Sequence, residues 1–251
     1  MKLHKNIQGD GPLLVLLHGW GFSHHIWQDL VPSLAKHYTV MSIDLPGFGA
    51  SPLAENINSL NTFSEAVLNE IPGKAILLGW SLGGLVAQYL AIHHPEQVEN
   101  LILVATSPHF IKETAWPGID SDLLKSFAKE LESDYQKLLQ RFLALQFFGV
   151  ESDRALIKRL STQIIQERPD LKALHLGLEL LLHSDLRTEL NHIQPPLRFI
   201  LGKLDVLVPV SLVEVLANLN SNIHIEVIKG AGHAPFISHP DAFLTATGLL
   251  P

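Results

Sequence analysis

A chain of 251 residues with 47% apolar and 17% charged side chains can bury one large core and carries too little charge for a disordered segment. Its formal net charge of −7 argues against a general nucleic-acid binder, whose phosphate contacts need a basic excess. With no cysteine, disulfides, thiolate nucleophiles and cysteine metal sites are excluded.

From the amino end, Leu13–Leu17 reads as a buried strand. It is too short for a signal-peptide core or a membrane span, so the expected location is the cytoplasm, away from membranes. It runs into His18-Gly19-Trp20-Gly21, a tight loop. Tyr38–Ile43 is the next strand, followed by the glycine-rich stretch Asp44-Leu45-Pro46-Gly47-Phe48-Gly49-Ala50-Ser51. That stretch lacks the dinucleotide-binding Gly-x-Gly-x-x-Gly spacing, and no P-loop Lys-Ser/Thr pair occurs, so it reads as a structural turn. Ala75–Leu78 is a third strand, and beyond it Leu85, Tyr89 and Ile92 fall at helical spacing before His94-Pro95. Leu101–Ala105, Leu197–Leu201 and His224–Ile228 complete the strands. Most lack polar alternation, as strands covered on both faces do, and they alternate with helical segments. The fold class is therefore α/β, with a mostly parallel, doubly wound sheet.

One interval breaks the rhythm. Between about Ser107 and Leu190 no strand is legible, but Leu124, Phe127, Leu131, Tyr135, Leu138, Phe142 and Leu145 keep a helical three- and four-residue spacing over about six turns. The expected organisation is a core of residues 1–106 and 191–251 with a helical lid, 107–190, inserted in it; Pro195-Pro196 marks the return to the core.

Gly79-Trp80-Ser81-Leu82-Gly83-Gly84 matches G-x-S-x-G, which places a serine on a strained strand-to-helix turn. Alone it would arise by chance in roughly one chain in ten of this size; the flanking strand and helix give it weight. A serine hydroxyl needs a base within reach and a third group to fix that base's tautomer. In the chain order Ser, Asp, His, Asp205 follows the strand ending at Leu201 and His233 follows the strand ending at Ile228. Both emerge at the carboxyl edge of the sheet, as Ser81 does. Among 14 histidines His239 is the nearest rival, but it stands at a helix start before Pro240, and Asp185 lies on the lid. The expected oxyanion donors are the backbone N–H groups of Leu82 and Trp20, and the Trp20 indole is placed to line the acyl pocket. No spacing of histidines and carboxylates supports a metal, and no cofactor is expected.

Together these residues resemble the α/β-hydrolase superfamily over essentially the whole chain. The segments His18-Gly19-Trp20-Gly21, Gly79–Ala87, Trp116-Pro117-Gly118-Ile119, Arg141–Gln146 and His233–Pro240 are similar to the pimeloyl-[acyl-carrier protein] methyl ester esterases of biotin synthesis. Two of them lie in the lid, which hydrolases in general do not share. The resemblance implies hydrolysis of the methyl ester on a carrier-bound pimeloyl chain, with Trp20, Leu82, Phe142, Leu143, Ala144, Leu145 and Gln146 lining the substrate channel. The chain departs from that family in a shorter loop after Gly149 and in Lys137 where arginine is expected. A general short-chain carboxylesterase or a carbon–carbon hydrolase could share the same triad, and a silent ligand receptor could share the fold; the complete triad weighs against the receptor.

Charge adds an expected partner. Lys137, Arg141, Arg154, Lys158 and Arg159 face only Glu151 and Asp153 over that stretch, a local balance of +3. Lys137 with Arg141 and Arg154 with Lys158 are each four apart, so each pair shares a helix face. With the resemblance, these pairs are the expected docking surface for an acidic acyl carrier protein on a monomeric enzyme.

Overall fold

The computed structural model describes residues 1–150, 154–167, 169–219 and 223–250, without the side chains of Arg154 and of 165–167. Leucine, isoleucine and valine runs with no polar face must be covered on both sides, and they form the interior of one seven-stranded sheet. The strands are β1 (Lys5–Gln8), β2 (Leu13–Leu17), β3 (Thr39–Ile43), β4 (Ala75–Trp80), β5 (Val98–Val104), β6 (Leu197–Gly202) and β7 (Ile223–Ile228), in spatial order β1-β3-β2-β4-β5-β6-β7. Every pairing is parallel except that of β1 with β3. All six residues of central β4 are buried. β1 escapes sequence reading because Lys5-Asn6-Ile7-Gln8 is a largely exposed edge with no apolar alternation.

The helices are α1 (Val31–Leu34), α2 (Leu60–Leu68), α3 (Leu82–His93), α4 (Ser121–Gln146), α5 (Arg154–Glu167), α6 (Leu171–His183), α7 (Leu212–Leu219), α8 (Pro235–Ser238) and α9 (Pro240–Thr247). α3 packs on β2, β4 and β5, and α9 packs on β6 and β7. α4, α5 and α6 lie between β5 and β6 in the chain, and α4 packs against both of the others.

The helical spacing over 124–145 falls within α4, which is broken at one residue. Asp134 has φ −157° and ψ 79°, which breaks α4 into two segments. The cause is local: the Asp134 carboxylate accepts from the Lys137 N–H at 3.0 Å, capping the second segment, and the Ser133 hydroxyl donates to the Glu130 carbonyl at 3.2 Å. The apolar spacing continues across the break, so Leu131 and Leu138 are both buried.

The two roots of this insertion are fastened to each other. The Leu186 N–H donates to the Pro108 carbonyl at 2.9 Å, and His109 Nδ1 donates to the Ser184 carbonyl at 3.0 Å. Arg187 pairs with Asp185 at 2.6 Å and Glu113 at 2.8 Å while lying over the Trp116 ring. Its guanidinium holds both carboxyls below the usual carboxylate range.

Candidate active site

Ser81 sits between β4 and α3 with φ 54° and ψ −117°, a conformation that costs a non-glycine residue on the order of 1–3 kcal/mol. Surrounding bonds hold it there. Its N–H donates to the Val104 carbonyl at 3.0 Å, and its carbonyl accepts from Gly84 N at 2.9 Å, Leu85 N at 3.1 Å and Thr106 Oγ1 at 2.8 Å. The turn also needs the absence of side chains around it. A Cβ at Gly83 would lie 2.3 Å from the Leu17 carbonyl oxygen, and one at Gly79 would lie 2.4 Å from that of Gly83.

The loops after β6 and β7 bring the other two residues together. The His233 Nδ1 donates to Asp205 Oδ2 at 2.8 Å, with both side chains fully buried. The other carboxylate oxygen, Oδ1, accepts from Leu207 N at 2.8 Å and Val208 N at 2.9 Å, so backbone fixes the carboxylate independently of the histidine. His233 Nε2 is buried with no hydrogen-bond partner among the described residues. A buried imidazole fixed in the Nδ1–H tautomer, with an unoccupied lone pair on Nε2, can accept a proton from a nucleophile or water. Two contacts that the sequence reading missed hold the histidine main chain: Trp80 Nε1 donates to its carbonyl at 2.8 Å, and its N–H donates to the Gln146 carbonyl at 3.2 Å. The Trp80 signal lay in plain view, an indole at a variable position of the serine motif.

Leu82 opens α3, so its N–H is among the first-turn donors that have no intrahelical acceptor. Trp20 belongs to the loop after β2, which His18 braces from beneath. His18 Nδ1 donates to the Gly19 carbonyl at 2.8 Å, and Nε2 accepts the Leu45 N–H at 3.0 Å. Burial pushes the His18 pKa down to about 4, so the neutral form that can accept from Leu45 is the one present.

The helical insertion covers this arrangement. Trp20 Nε1 donates to the Leu174 carbonyl of α6 at 2.8 Å, and the Trp20 and Phe142 rings meet edge to face at 4.8 Å. Ser81 is only 4% exposed. Of the residues expected along a channel, Trp20, Leu82, Phe142, Leu143 and Gln146 are buried and Leu145 is half-buried, whereas Ala144 faces outward. An i, i+1, i+2 run cannot put every member on one helix face, which explains Ala144.

Among the other candidates, His239 bonds to Ser238 between α8 and α9, and Asp185 is engaged by Arg187. Lys137 and Lys158 are exposed on α4 and α5, which pack together. Arg141 is also exposed but pairs with Glu130 across the break in α4 and lies over the Phe127 ring. Arg159 pairs with Asp29 of the core. The Arg154 side chain, Glu151 and Asp153 lie outside the described residues. The stretch expected as a structural turn, Asp44–Ser51, wraps Asp44, onto which His4 and His24 converge from elsewhere in the chain. Among the described residues no helix is long and apolar enough to cross a membrane.

A family profile for the α/β hydrolase fold matches residues 12–240, the span that carries the elbow, both loops and the insertion. The chain belongs to the α/β-hydrolase family. This hydrolase is 44% identical over 238 residues, 94% of each chain, to the pimeloyl-[acyl-carrier protein] methyl ester esterase of Aeromonas hydrophila subsp. hydrophila. It is 41% identical over 239 residues, 94% of this chain and 93% of the relative, to the protein of the same name from Pseudoalteromonas atlantica. Among solved structures, a hydrolase from Pseudomonas aeruginosa superposes with a TM-score of 0.84 at 27% identity, covering 98% of this chain and 92% of the other.

Proposed function

We propose that this α/β hydrolase is a serine carboxylesterase that cleaves the methyl ester of pimeloyl-[acyl-carrier protein], releasing methanol and leaving pimeloyl-carrier for biotin synthesis. The chemistry is carried by one observation: a buried histidine tied to a backbone-anchored aspartate, with its Nε2 unpartnered, at the same sheet edge as a strained serine elbow. The substrate is carried by likeness to the two esterases above across more than nine-tenths of their length.

Ser81 Oγ attacks the ester carbonyl as His233 Nε2 takes its proton, and Asp205 stabilises the imidazolium through Nδ1–H. The N–H groups of Leu82 and Trp20 receive the oxyanion; each such donor is worth roughly 3–4 kcal/mol in the transition state. The imidazolium then protonates the departing methoxide, giving methanol and an acyl-serine. Water, deprotonated by the same Nε2, attacks the acyl-serine, and collapse returns the proton to Ser81 and frees the carboxylate.

The insertion serves as a lid, with Trp20, Leu82, Phe142, Leu143 and Gln146 lining the acyl channel beneath it and Ala144 facing away. Because Ser81 is nearly sealed, the lid shifts to admit an acyl chain. An acidic carrier docks on the basic face of α4 and α5, where Lys137 and Lys158 are exposed and Arg141 exchanges Glu130 for the carrier, with Arg154 beside them in sequence. The test compares hydrolysis of pimeloyl-carrier methyl ester with that of short free esters at matched concentrations. A large preference in kcat/KM for the carrier ester is the expected result. Equal or better turnover of short esters would leave a general carboxylesterase.

A further inference from the structure

A second cluster of ligating side chains lies apart from the triad. His4, preceding β1, His24, in the short turn after the Trp20 loop, and Asp44, at the carboxyl end of β3, place one ligand atom each within 4.8 Å of one another. They line a cavity of about 530 Å³ together with His25, whose ring lies 3.9 Å from that of His24. His4 Nδ1 meets Asp44 Oδ2 at 3.0 Å and His24 Nδ1 meets Oδ1 at 2.8 Å.

What distinguishes this from an ordinary buried aspartate is how the carboxylate is held. Each oxygen also accepts a backbone N–H, His24 N to Oδ1 at 2.6 Å and Ala50 N to Oδ2 at 2.9 Å. These two bonds orient the carboxylate whether or not the imidazoles point at it, which is the supporting role that outer hydrogen bonds play around metal ligands. The carboxylate side chain is fully buried and the His24 side chain nearly so, while the His4 side chain is 42% exposed and free to adjust from the cavity side. The turn closes so tightly on Asp44 that a Cβ at Gly49 would lie 2.3 Å from Oδ2.

We infer that His4, His24 and Asp44 form a binding site for a borderline divalent cation of the Zn²⁺ type. Two imidazole nitrogens and one carboxylate oxygen are three of the four ligands that such an ion takes, and the cavity admits water as the fourth. Zn–N bonds of about 2.0–2.1 Å in a tetrahedron put ligand atoms about 3.3 Å apart, so the widest pair closes by at most roughly 1.5 Å. Each neutral imidazole moves its proton from Nδ1 to Nε2 on binding, so the exchange needs no other reactant. The ion would tie the turn after Trp20 to β3 and the amino-terminal segment.

The test is calorimetric titration of the chelator-treated, full-length protein with Zn²⁺, comparing wild type with His4→Gln, His24→Gln and, as a control for surface histidines, His224→Gln. Wild type and His224→Gln are expected to take up one equivalent that His4→Gln either lacks or binds at least tenfold more weakly. His4→Gln alters a half-exposed side chain, so it should keep the ester hydrolysis of metal-free wild type and show that the protein is folded. Zn²⁺ should raise the melting temperature of wild type more than that of His4→Gln. Indistinguishable isotherms for wild type and His4→Gln, or no uptake by wild type, would overturn the site.

Discussion

Replacing Asp205 by asparagine probes the proposed base with the least steric change. Asparagine keeps one oxygen and offers one NH2, and the structure decides which goes where. The Leu207 and Val208 N–H groups both donate to Oδ1, so turning the NH2 toward them would set donors against donors and lose two buried bonds, at about 1–3 kcal/mol each. The amide oxygen therefore stays on the backbone, and the NH2 faces His233 Nδ1. That makes Nδ1 an acceptor and puts the proton on Nε2, where it blocks acceptance from Ser81. A wrong tautomer in a serine triad costs about 10⁴ in kcat, or roughly 5 kcal/mol of transition-state stabilisation. We expect Asp205→Asn to melt close to wild type and to lose about four orders of magnitude in kcat on carrier and short esters alike. Retention of more than about a tenth of wild-type kcat, when ~10⁴ is expected, would show that Asp205 does not set the tautomer.

Ser81→Ala should fold, lose ~10³-fold or more in turnover and resist labelling by a serine-directed phosphonate; a labelled Ser81→Ala protein would move the nucleophile elsewhere. His18 sets a pH limit on stability. Its folded pKa of about 4 lies below the unfolded value, so its contribution is complete above about pH 6.5 and is lost as pH falls toward 4. At 1.36 kcal/mol per pH unit that loss approaches ~3 kcal/mol, and urea unfolding that is flat from about pH 6.5 to 4.5 would refute it. Charge reversal by Lys137→Glu with Lys158→Glu should slow carrier-ester hydrolysis at low salt and spare a small neutral ester, with the difference shrinking as salt is added. Equal losses on both substrates would mean damage to the lid instead of lost docking.

What the sequence shows and what it hides divide along physical lines. Six strands are legible because most are mainly apolar runs covered on both faces and the edge strand β7 keeps Ile223, Ile225, Val227 and Ile228 around its two polar residues, and Ser81, Asp205 and His233 stand out because each follows the end of a strand. β1 is hidden because an exposed edge needs only backbone pairing, which leaves no hydrophobic trace. The break at Asp134 is signalled solely by a Ser-Asp pair, since buried Leu131 and Leu138 keep their spacing across it. The gathering of His4, His24 and Asp44 is invisible to motif spacing, because the turn of the chain that joins them is tertiary. Gln146 holds His233 through its own carbonyl, a role that residue type does not encode, whereas Trp80 uses its indole N–H, whose partner only the tertiary fold reveals.

The fastening at the roots of the insertion reaches beyond stability. Because Pro108 and Leu186 meet at one hydrogen bond and Arg187 clamps both sides, the chain leaves the sheet and returns to it at a single point. Whatever is threaded between those two residues adds loop-closure entropy that grows only slowly with its length. The intervening helices can therefore change in length at little entropic cost, provided that a carbonyl is still offered to the His233 N–H and another to the Trp20 indole, two points at which the insertion grips the loops of the sheet edge.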